Sequence, residues 1–322
     1  MKPIPVLLPG AKVAGTHSPH ELFSMPSDSD DITNPMNLRS LGHRSVESWL
    51  AHGAIEPVRL LPNFKGLRSQ DYLFICAAIP LKLAQIEAQS QALYDELLDQ
   101  ISKHPCNRFV RIWNYISHIN AGFEPEDEDQ ECYRRFCSGR AAAFDKHPSF
   151  ATRSLPAATA IGAHDNMLRI SAICAAPHVS LRAIENPRQV SAFEYPRQYG
   201  PRAPLFSRAN LVENAGQRLL LISGTASIVA HETQHPHQLK EQTLETQRNI
   251  NAIVEQATKL TDIEPQRPFQ PVCMRYYLRS AQDLAIAKDA FRGAFPQFPE
   301  PDFLLADICR QDLVMEIEAV YR

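Results

Sequence analysis

The chain has 322 residues, of which 44% are hydrophobic and 21% carry a charge. At about 150 residues per domain this length predicts two domains, and the composition is typical of a globular protein rather than a disordered one. The net charge of −3 lacks the basic surplus of a nucleic-acid binder, so no nucleic-acid partner is expected. The longest uncharged apolar stretch, about 12 residues at 219–230, is too short to span a bilayer.

Cysteine usage and the N-terminus indicate a cytoplasmic protein. Seven cysteines are widely spaced and form no CxxC pair, which favours reduced thiols over a disulfide framework. The first fifteen residues are apolar but interrupted by three prolines, and they contain no signal-peptide pattern. We therefore expect neither secretion nor a membrane partner.

The first half of the chain predicts an irregular arm followed by an α+β unit. Residues 1–45 are rich in Pro, Ser and Asp and show no period, which predicts the arm. Periodicity and β-branched content then predict, in order, a strand at 71–79, a helix at 81–101, a strand at 109–116, an acidic loop at 124–131, a helix at 133–144, and strands at 157–162 and 167–175.

The second half repeats this alternation of strands and helices. The predicted elements are a strand bent at Gly224 over 218–229, a helix at 241–258, a strand at 272–278, a helix at 284–295, and strands at 303–308 and 313–321. The fold class is therefore α+β, with two units of similar design at 46–185 and 186–322, each a mixed β-sheet packed with helices.

The segment His231-Glu232-Thr233-Gln234-His235 matches the HExxH pattern of zinc peptidases. It follows a strand-like run, and Pro236 comes directly after the second histidine, which favours a turn over a helix. No third ligand is evident downstream. We therefore expect a polar loop and no metal site.

Glu316 and Glu318 lie on the last predicted strand. Alternation places Leu313, Met315 and Ile317 on one face and both glutamates, flanked by Val314 and Val320, on the other. Valines beside a carboxyl group would raise its pKa and make it a candidate general acid. The alternative is an ordinary solvent-facing strand.

Two further features have a functional and a structural interpretation. Cys309 is either a nucleophile or a small buried hydrophobic residue. The segment 195–209 interleaves arginine and tyrosine with Pro and Gly, as expected of a rigid donor-rich loop that binds carboxylates, or of a solvated interdomain loop.

Several short segments together resemble the chorismatase family. In chain order they are 110–116, 139–141, 156–159, 195–200, 206–209, 222–228, 307–313 and 316–318. The second half alone also resembles the reactive-intermediate deaminase (Rid) superfamily, through SGTASI, the helix at 241–258 and the terminal EIEAV. The resemblance implies two packed Rid-like (chorismate-mutase-like) domains, with the active site in the C-terminal one.

The family resemblance also implies a substrate and catalytic residues. The substrate is chorismate, and a glutamate on the last strand protonates the enolpyruvyl methylene so that pyruvate leaves; Glu316 matches this position. The type that forms 3-hydroxybenzoate resembles this chain in having cysteine where Cys309 stands. The length and the Pro-rich arm are most similar to a type that releases both 3- and 4-hydroxybenzoate, found in pigment-making gamma-proteobacteria. Whether the product serves quinone or pigment synthesis stays open.

Substrate-binding residues follow from the same resemblance. We expect Arg140, Arg208 and Arg275 to include the groups that bind the two carboxylates, with Tyr195, Tyr199, Gly224 and Thr225 shaping the pocket. Protonation and elimination need no metal or organic cofactor. One departure is Ala230, which stands where the family pattern has a glycine before the histidine and could add a methyl group near the pocket.

Three alternatives remain at this stage. A hydrolytic chorismatase would release a dihydroxycyclohexadiene carboxylate instead of an aromatic product. A Rid-type imine deaminase needs an arginine near the start of the penultimate strand, and residues 301–305 contain none. A small-molecule sensor would bind chorismate without turnover. The sequence leaves a monomer and a homo-oligomer open, including the trimer that Rid proteins form.

Overall fold

The computed structural model describes residues 8–12, 21–26, 36–41, 46–51, 54–122, 127–151, 155–260 and 268–322. Three of the eight residues of the predicted acidic loop and most of the predicted arm lie outside these ranges. Within them, no helix is both long and apolar enough to cross a membrane.

The described residues form seventeen strands and five α-helices. The strands are β1 Leu8–Lys12, β2 Glu21–Pro26, β3 Val46–Leu50, β4 Glu56–Pro57, β5 Phe64–Arg68, β6 Tyr72–Pro80, β7 Arg108–Ser117, β8 Ala157–Ala163, β9 Met167–Ala175, β10 Ser180–Ile184, β11 Ala209–Asn214, β12 Gln217–Thr225, β13 Ile228–Val229, β14 Glu232–Thr233, β15 Pro271–Leu278, β16 Asp302–Leu305 and β17 Met315–Tyr321. The helices are α1 Ile86–Ser102, α2 Cys132–Lys146, α3 Pro148–Ala151, α4 Leu239–Leu260 and α5 Leu284–Ala294.

Two six-stranded sheets share one topology. The first has the order β4-β5-β6-β9-β7-β8 and the second the order β10-β11-β12-β17-β15-β16. Numbered within its own unit, each sheet reads 1-2-3-6-4-5, and in each the fourth and fifth strands are parallel while the other pairs are antiparallel. The predictions of an α+β fold and of two units of similar design are confirmed.

Each sheet buries one face against its own helices and the other against the partner sheet. Leu93, Leu97 and Ile101 repeat at helical spacing on α1 and pack against the face of the first sheet that points away from the second sheet. Ile250 and Ile253 of α4 do the same for the second sheet. A third apolar cluster lies between the sheets and contains aromatic residues of both, so the two units form one continuous core.

Backbone contacts also join the units near their edges. Gly162 on β8 donates its N–H to the carbonyl of Asp307 at 2.8 Å. A Cβ at Gly162 would lie 2.5 Å from Cβ of Asp307, so glycine is what permits this approach. The contact holds the segment after β16 against the first sheet.

The structure corrects three details of the predicted organisation. Residues 8–12 and 21–26 of the predicted arm are strands that pair with β3. The first sheet ends at Ala175, and β10, which begins at Ser180, already belongs to the second sheet, so the change of sheet precedes the predicted boundary at 185/186. The last strand begins at Met315 rather than at residue 313.

Candidate active site

A cavity of about 310 Å³ lies between the two units. Its walls come from α2 and β8 of the first unit, from the segment before β11, and from the second unit around the ends of β12, β16 and β17. Of the nine residues predicted for the site, seven line this cavity: Glu316, Cys309, Arg140, Tyr195, Tyr199, Arg208 and Gly224. The predicted residues therefore converge on one place, although they come from distant parts of the chain.

Glu316 is a buried carboxyl group at the wall of this cavity. Its side chain points from β17 toward the first sheet and is only 5% exposed. No described residue donates a hydrogen bond to it, so its ionised form would lack a hydrogen-bond donor in this part of the protein. Burial, followed by the negative charge of Glu318, raises the pKa of Glu316 to about 8. The group therefore carries a proton at neutral pH.

Glu318 lies two residues further on the same face of β17 and has the opposite environment. Its Oε2 accepts hydrogen bonds from Arg111 at 2.6 Å and from Thr159 at 2.7 Å. Its Oε1 accepts from Arg275 at 2.8 Å and from Trp113 Nε1 at 3.2 Å. Burial alone would raise the pKa of Glu318, but Arg275 and Arg111 outweigh it and hold the pKa below its usual value.

Gly224 leaves the space that the Glu316 carboxyl group occupies. A Cβ at this position would overlap Oε1 of Glu316 and come within 2.9 Å of its Cδ. The backbone N–H of Gly224 donates to Oγ1 of Thr159 at 3.0 Å. Between Ile222 and Thr225 the pairing of β12 with β17 is irregular, in agreement with the bend predicted at Gly224.

Two buried arginines line the cavity and have donors without a hydrogen-bond partner. Arg208 donates to the carbonyl of Val190 and to the hydroxyl of Tyr195, both at 2.8 Å, and its Nε has no hydrogen-bond partner. Arg140 donates from Nη1 to the carbonyl of Leu205 at 2.8 Å, while its Nε and Nη2 have none. Unpaired buried guanidinium donors are costly unless a ligand accepts from them, so both arginines fit a site for an anion.

The thiol groups in the cavity wall are neutral. Burial, with the nearby charge of Glu316, raises the pKa of Cys309 well above its usual range. Burial likewise raises the pKa of Cys137, on α2, to about 12. Neither environment is that of an activated thiolate nucleophile. Cys309 therefore contributes a neutral thiol group to the cavity wall.

A cluster of aromatic and cationic side chains forms another part of the wall. The guanidinium of Arg310 lies 4.0 Å from the ring centre of Tyr199 and 5.4 Å from that of Tyr195. Arg310 also donates to the carbonyl of His231 at 2.9 Å. The hydroxyl of Tyr199 lies 3.3 Å from Nδ1 of His231.

The HExxH segment is a short hairpin of β13 and β14, as the non-helical interpretation predicted. Within the residues that the structure describes, no group of three His, Cys, Asp or Glu side chains could hold a metal ion. Ala230 has a φ of 51°, a left-handed conformation that favours glycine. Its side chain is exposed and does not line the cavity, so the expected methyl group near the pocket is not found there.

Two predicted binding residues lie outside the cavity. Arg275 is buried against Glu318, and its guanidinium lies 5.9 Å from the ring centre of Trp113. Thr225 is buried, and its hydroxyl donates to the carbonyl of Ser223 at 2.8 Å. The expectation that Arg275 binds a substrate carboxylate is corrected for this reason: its charge is already opposed by that of Glu318.

Some cavity residues were missed from the sequence. Tyr133, Cys137 and Arg140 follow one another at i, i+4 and i+7 on α2, so helical periodicity alone places the first two on the same face as the predicted arginine. Thr159 and Arg310 lie inside segments that carry the family resemblance, but neither was singled out.

Comparisons with known proteins identify the family of this chain. The family described as chorismatase FkbO/Hyg5-like, N-terminal, matches residues 47–174. A 3-hydroxybenzoate synthase of Streptomyces hygroscopicus is 32% identical over 260 residues, which cover 78% of this chain and 74% of the relative. A chorismatase of Streptomyces rapamycinicus is 32% identical over 290 residues, covering 85% and 81%. A chorismatase crystal structure superposes with a TM-score of 0.82 at 24% identity and covers both chains completely.

Proposed function

This chain belongs to the chorismatase family, and from that premise we propose that it cleaves chorismate into pyruvate and a hydroxybenzoate. The observation that carries the proposal is Glu316, a buried and protonated carboxyl group without a hydrogen-bond partner among the described residues, in the wall of a cavity that also contains two arginines with unused donors. A proton donor beside a site for anions matches a dicarboxylate that reacts by protonation.

The chemistry requires one acid in a site that excludes water. The enol ether of chorismate becomes reactive when a proton is added to its terminal methylene carbon, because the adjacent carbon then carries positive charge shared with the ether oxygen. Glu316 supplies this proton and becomes a carboxylate. Its burial keeps the proton available at neutral pH, and the nearby cations Arg111 and Arg275 donate their hydrogen bonds to Glu318 rather than to Glu316.

The fate of the ring then decides the product. In the aromatising course, the ring hydroxyl attacks the carbon that bears the ether oxygen, that C–O bond breaks, and pyruvate leaves with the electron pair. The resulting epoxide-like ring rearranges and loses a ring proton to give 3-hydroxybenzoate. Direct loss of a ring proton with departure of pyruvate gives 4-hydroxybenzoate. In either course chorismate divides into pyruvate and hydroxybenzoate without net addition of water.

The remaining cavity residues have roles in binding. We assign Arg208 and Arg140 to the two carboxylates, since both are buried cations in the cavity wall with donors that have no hydrogen-bond partner. Each charge-assisted hydrogen bond of this kind is worth roughly 1.5–3 kcal/mol. Tyr195 and Tyr199 line the same cavity and restrict the orientation of the ring. Cys309 lies in the wall with Glu316 and is assigned to the control of the ring chemistry.

The test is to incubate the purified protein with chorismate in buffer that contains EDTA, to assay pyruvate, and to separate the ring products by chromatography. We expect pyruvate together with 3-hydroxybenzoate, 4-hydroxybenzoate or both. Pyruvate with a non-aromatic diol would assign the chain to the hydrolytic type. Chorismate that binds but is not consumed would contradict the proposal and favour a sensor.

The role of Glu316 is tested by Glu316→Gln, which keeps the shape of the side chain but removes the transferable proton. We expect pyruvate release to fall by about 10²–10⁴-fold, the usual contribution of a general acid. The unfolding temperature should not decrease, because the native group is already neutral. A variant that releases pyruvate at the full rate would show that another group is the acid.

A further inference from the structure

The carboxylate of Glu318 is connected to Glu316 by a chain of buried contacts. Thr159 donates its hydroxyl hydrogen to Glu318 at 2.7 Å, and the same oxygen accepts the N–H of Gly224 at 3.0 Å. Gly224 in turn has its Cα directly against the Glu316 carboxyl group. The position of the acid therefore depends on a hydrogen-bonded path that begins at Glu318.

This path crosses from one unit to the other. Arg111, Trp113 and Thr159 belong to the first sheet, whereas Glu318 and Arg275 belong to the second. All five side chains are buried. Buried ion pairs of this kind contribute little net stability compared with apolar residues of the same volume. A cluster that directs two cations and two further donors at one carboxylate therefore calls for a role besides folding.

We propose that Glu318 is a positioning residue of this reaction, whose fixed negative charge keeps the proton on Glu316 and whose contact with Thr159 holds the backbone at Gly224 against the acid. The proposal rests on the proposed function, since it presumes that Glu316 reacts as a proton donor. Glu318 itself does not line the cavity and does not touch the substrate. Its effect is transmitted through Glu316, Thr159 and Gly224.

The charged and titratable groups around Glu316 identify Glu318 as the source of the effect. They are Glu318 on the same strand, Arg111 on β7, Arg208 before β11, Tyr133 on α2, and Cys309 before β17. Burial holds the pKa values of Tyr133 and Cys309 well above their usual ranges, so these two groups stay neutral. Among the described groups that act on Glu316, Glu318 is the one that adds negative charge, and Arg111 and Arg208 oppose it.

The experiment measures pyruvate release by Glu318→Gln as a function of pH. Wild-type activity requires protonated Glu316, so it should decline as pH rises through about 8. Removing the Glu318 charge leaves Arg111 and Arg208 to favour the ionised acid, so the decline should move to lower pH by about one unit or more. KM should change less than kcat, because Glu318 does not contact the substrate.

A matched control separates this effect from a general loss of stability. Glu245 on α4 is also buried and paired with two arginines, Arg188 and Arg248, but it lies outside the cavity. Glu245→Gln should lower the unfolding temperature without moving the pH at which activity declines. If Glu318→Gln does not fold, the double variant Glu318→Gln/Arg275→Gln removes one charge of each sign and should show the same shift.

Two outcomes would contradict different statements. A folded Glu318→Gln or double variant whose activity falls equally at every pH, with the decline still near the wild-type position, would overturn the positioning role of Glu318 alone. A wild-type protein that releases no pyruvate would overturn the proposed function. A shift of the decline in the Glu318 variant, with none in Glu245→Gln, is the expected result.

Discussion

The two units have the same strand order, yet their matching strands present opposite chemistry to the space between the sheets. In the second unit, the sixth strand β17 places Glu316 and Glu318 on this face. In the first unit, the sixth strand β9 places Arg169 and Ser171 there, by the same alternation. Arg169 is buried and paired with Asp165 of its own unit. The same fold thus occurs twice, but only the second copy has carboxylates on the face of its sixth strand that lies between the sheets.

The difference shows that the two units of similar fold contribute different residues to a single site. The first unit contributes three of the four donors that hold Glu318, namely Arg111, Thr159 and Trp113. The second unit contributes Glu316, Glu318 and the fourth donor, Arg275. Neither sheet alone provides both Glu316 and the full set of donors to Glu318. The site is therefore a property of the packing of the two sheets, not of the fold of either one.

The strongest test of this division is Gly224→Ala. The added Cβ would overlap the end of the Glu316 side chain, which can rotate away at small cost in stability, but the acid would then leave its position between the sheets. We expect kcat to fall by about 10²-fold, as for other small displacements of a catalytic group, while the unfolding temperature changes little. Pyruvate assays and a thermal melt measure both quantities.

Gly293→Ala is the matched control for this variant. A Cβ at Gly293, inside α5, would meet no atom within 4 Å, and alanine favours a helix by up to about 1 kcal/mol. Activity should stay at the wild-type level and stability should rise slightly. If Gly224→Ala kept full activity as well, the acid would not depend on the space that this glycine provides.

A second comparison uses the two cavity thiols, one from each unit. Cys309→Ala should alter the ratio of 3- to 4-hydroxybenzoate more than the total rate, because the thiol lies beside the acid but is not ionised. Cys137→Ala, in the first unit, should alter the ratio less. Chromatography of the ring products gives both values. Equal changes in the two variants would mean that control of the product is shared by both units.

The sequence was sufficient for most of the fold because its strong elements have clear periods. The strand at 167–175 and the helices α1, α2, α4 and α5 lie within a few residues of their predicted bounds. Of the hairpin formed by β11 and β12, only the second strand was predicted from the sequence. Its two turn residues, Ala215 and Gly216, both have positive φ, and an Ala-Gly pair is a weaker turn signal than Asn-Gly.

The site was predictable wherever a short segment carried the family resemblance, and less so where contacts join the units. Glu316, Cys309 and Arg208 were predicted and line the cavity. Arg275 was expected to bind the substrate, but it lies directly opposite Glu318 on the neighbouring strand β17. This register is set by the pairing of β15 with β17, which the sequence pattern alone does not give. A role for Glu318 was not predicted either, since three of its four donors, Arg111, Trp113 and Thr159, lie more than 150 residues away along the chain, on the other sheet.

The smallest expected effect concerns the segment between β10 and β11. Residues 195–208 supply several cavity residues, and Arg202 holds this segment to Asp145 at the end of α2 through two hydrogen bonds of 2.8 and 3.0 Å. Asp145→Asn should raise KM for chorismate by less than about fivefold, since exposed ion pairs contribute little, and the difference should shrink at high salt. Asp289→Asn removes a comparable exposed pair with Lys240 away from the cavity and should leave KM unchanged. A large, salt-independent rise in KM for Asp145→Asn would mean that the first unit orders the cavity wall through this contact, and the two units would then contribute more equally to binding than the division of charges suggests.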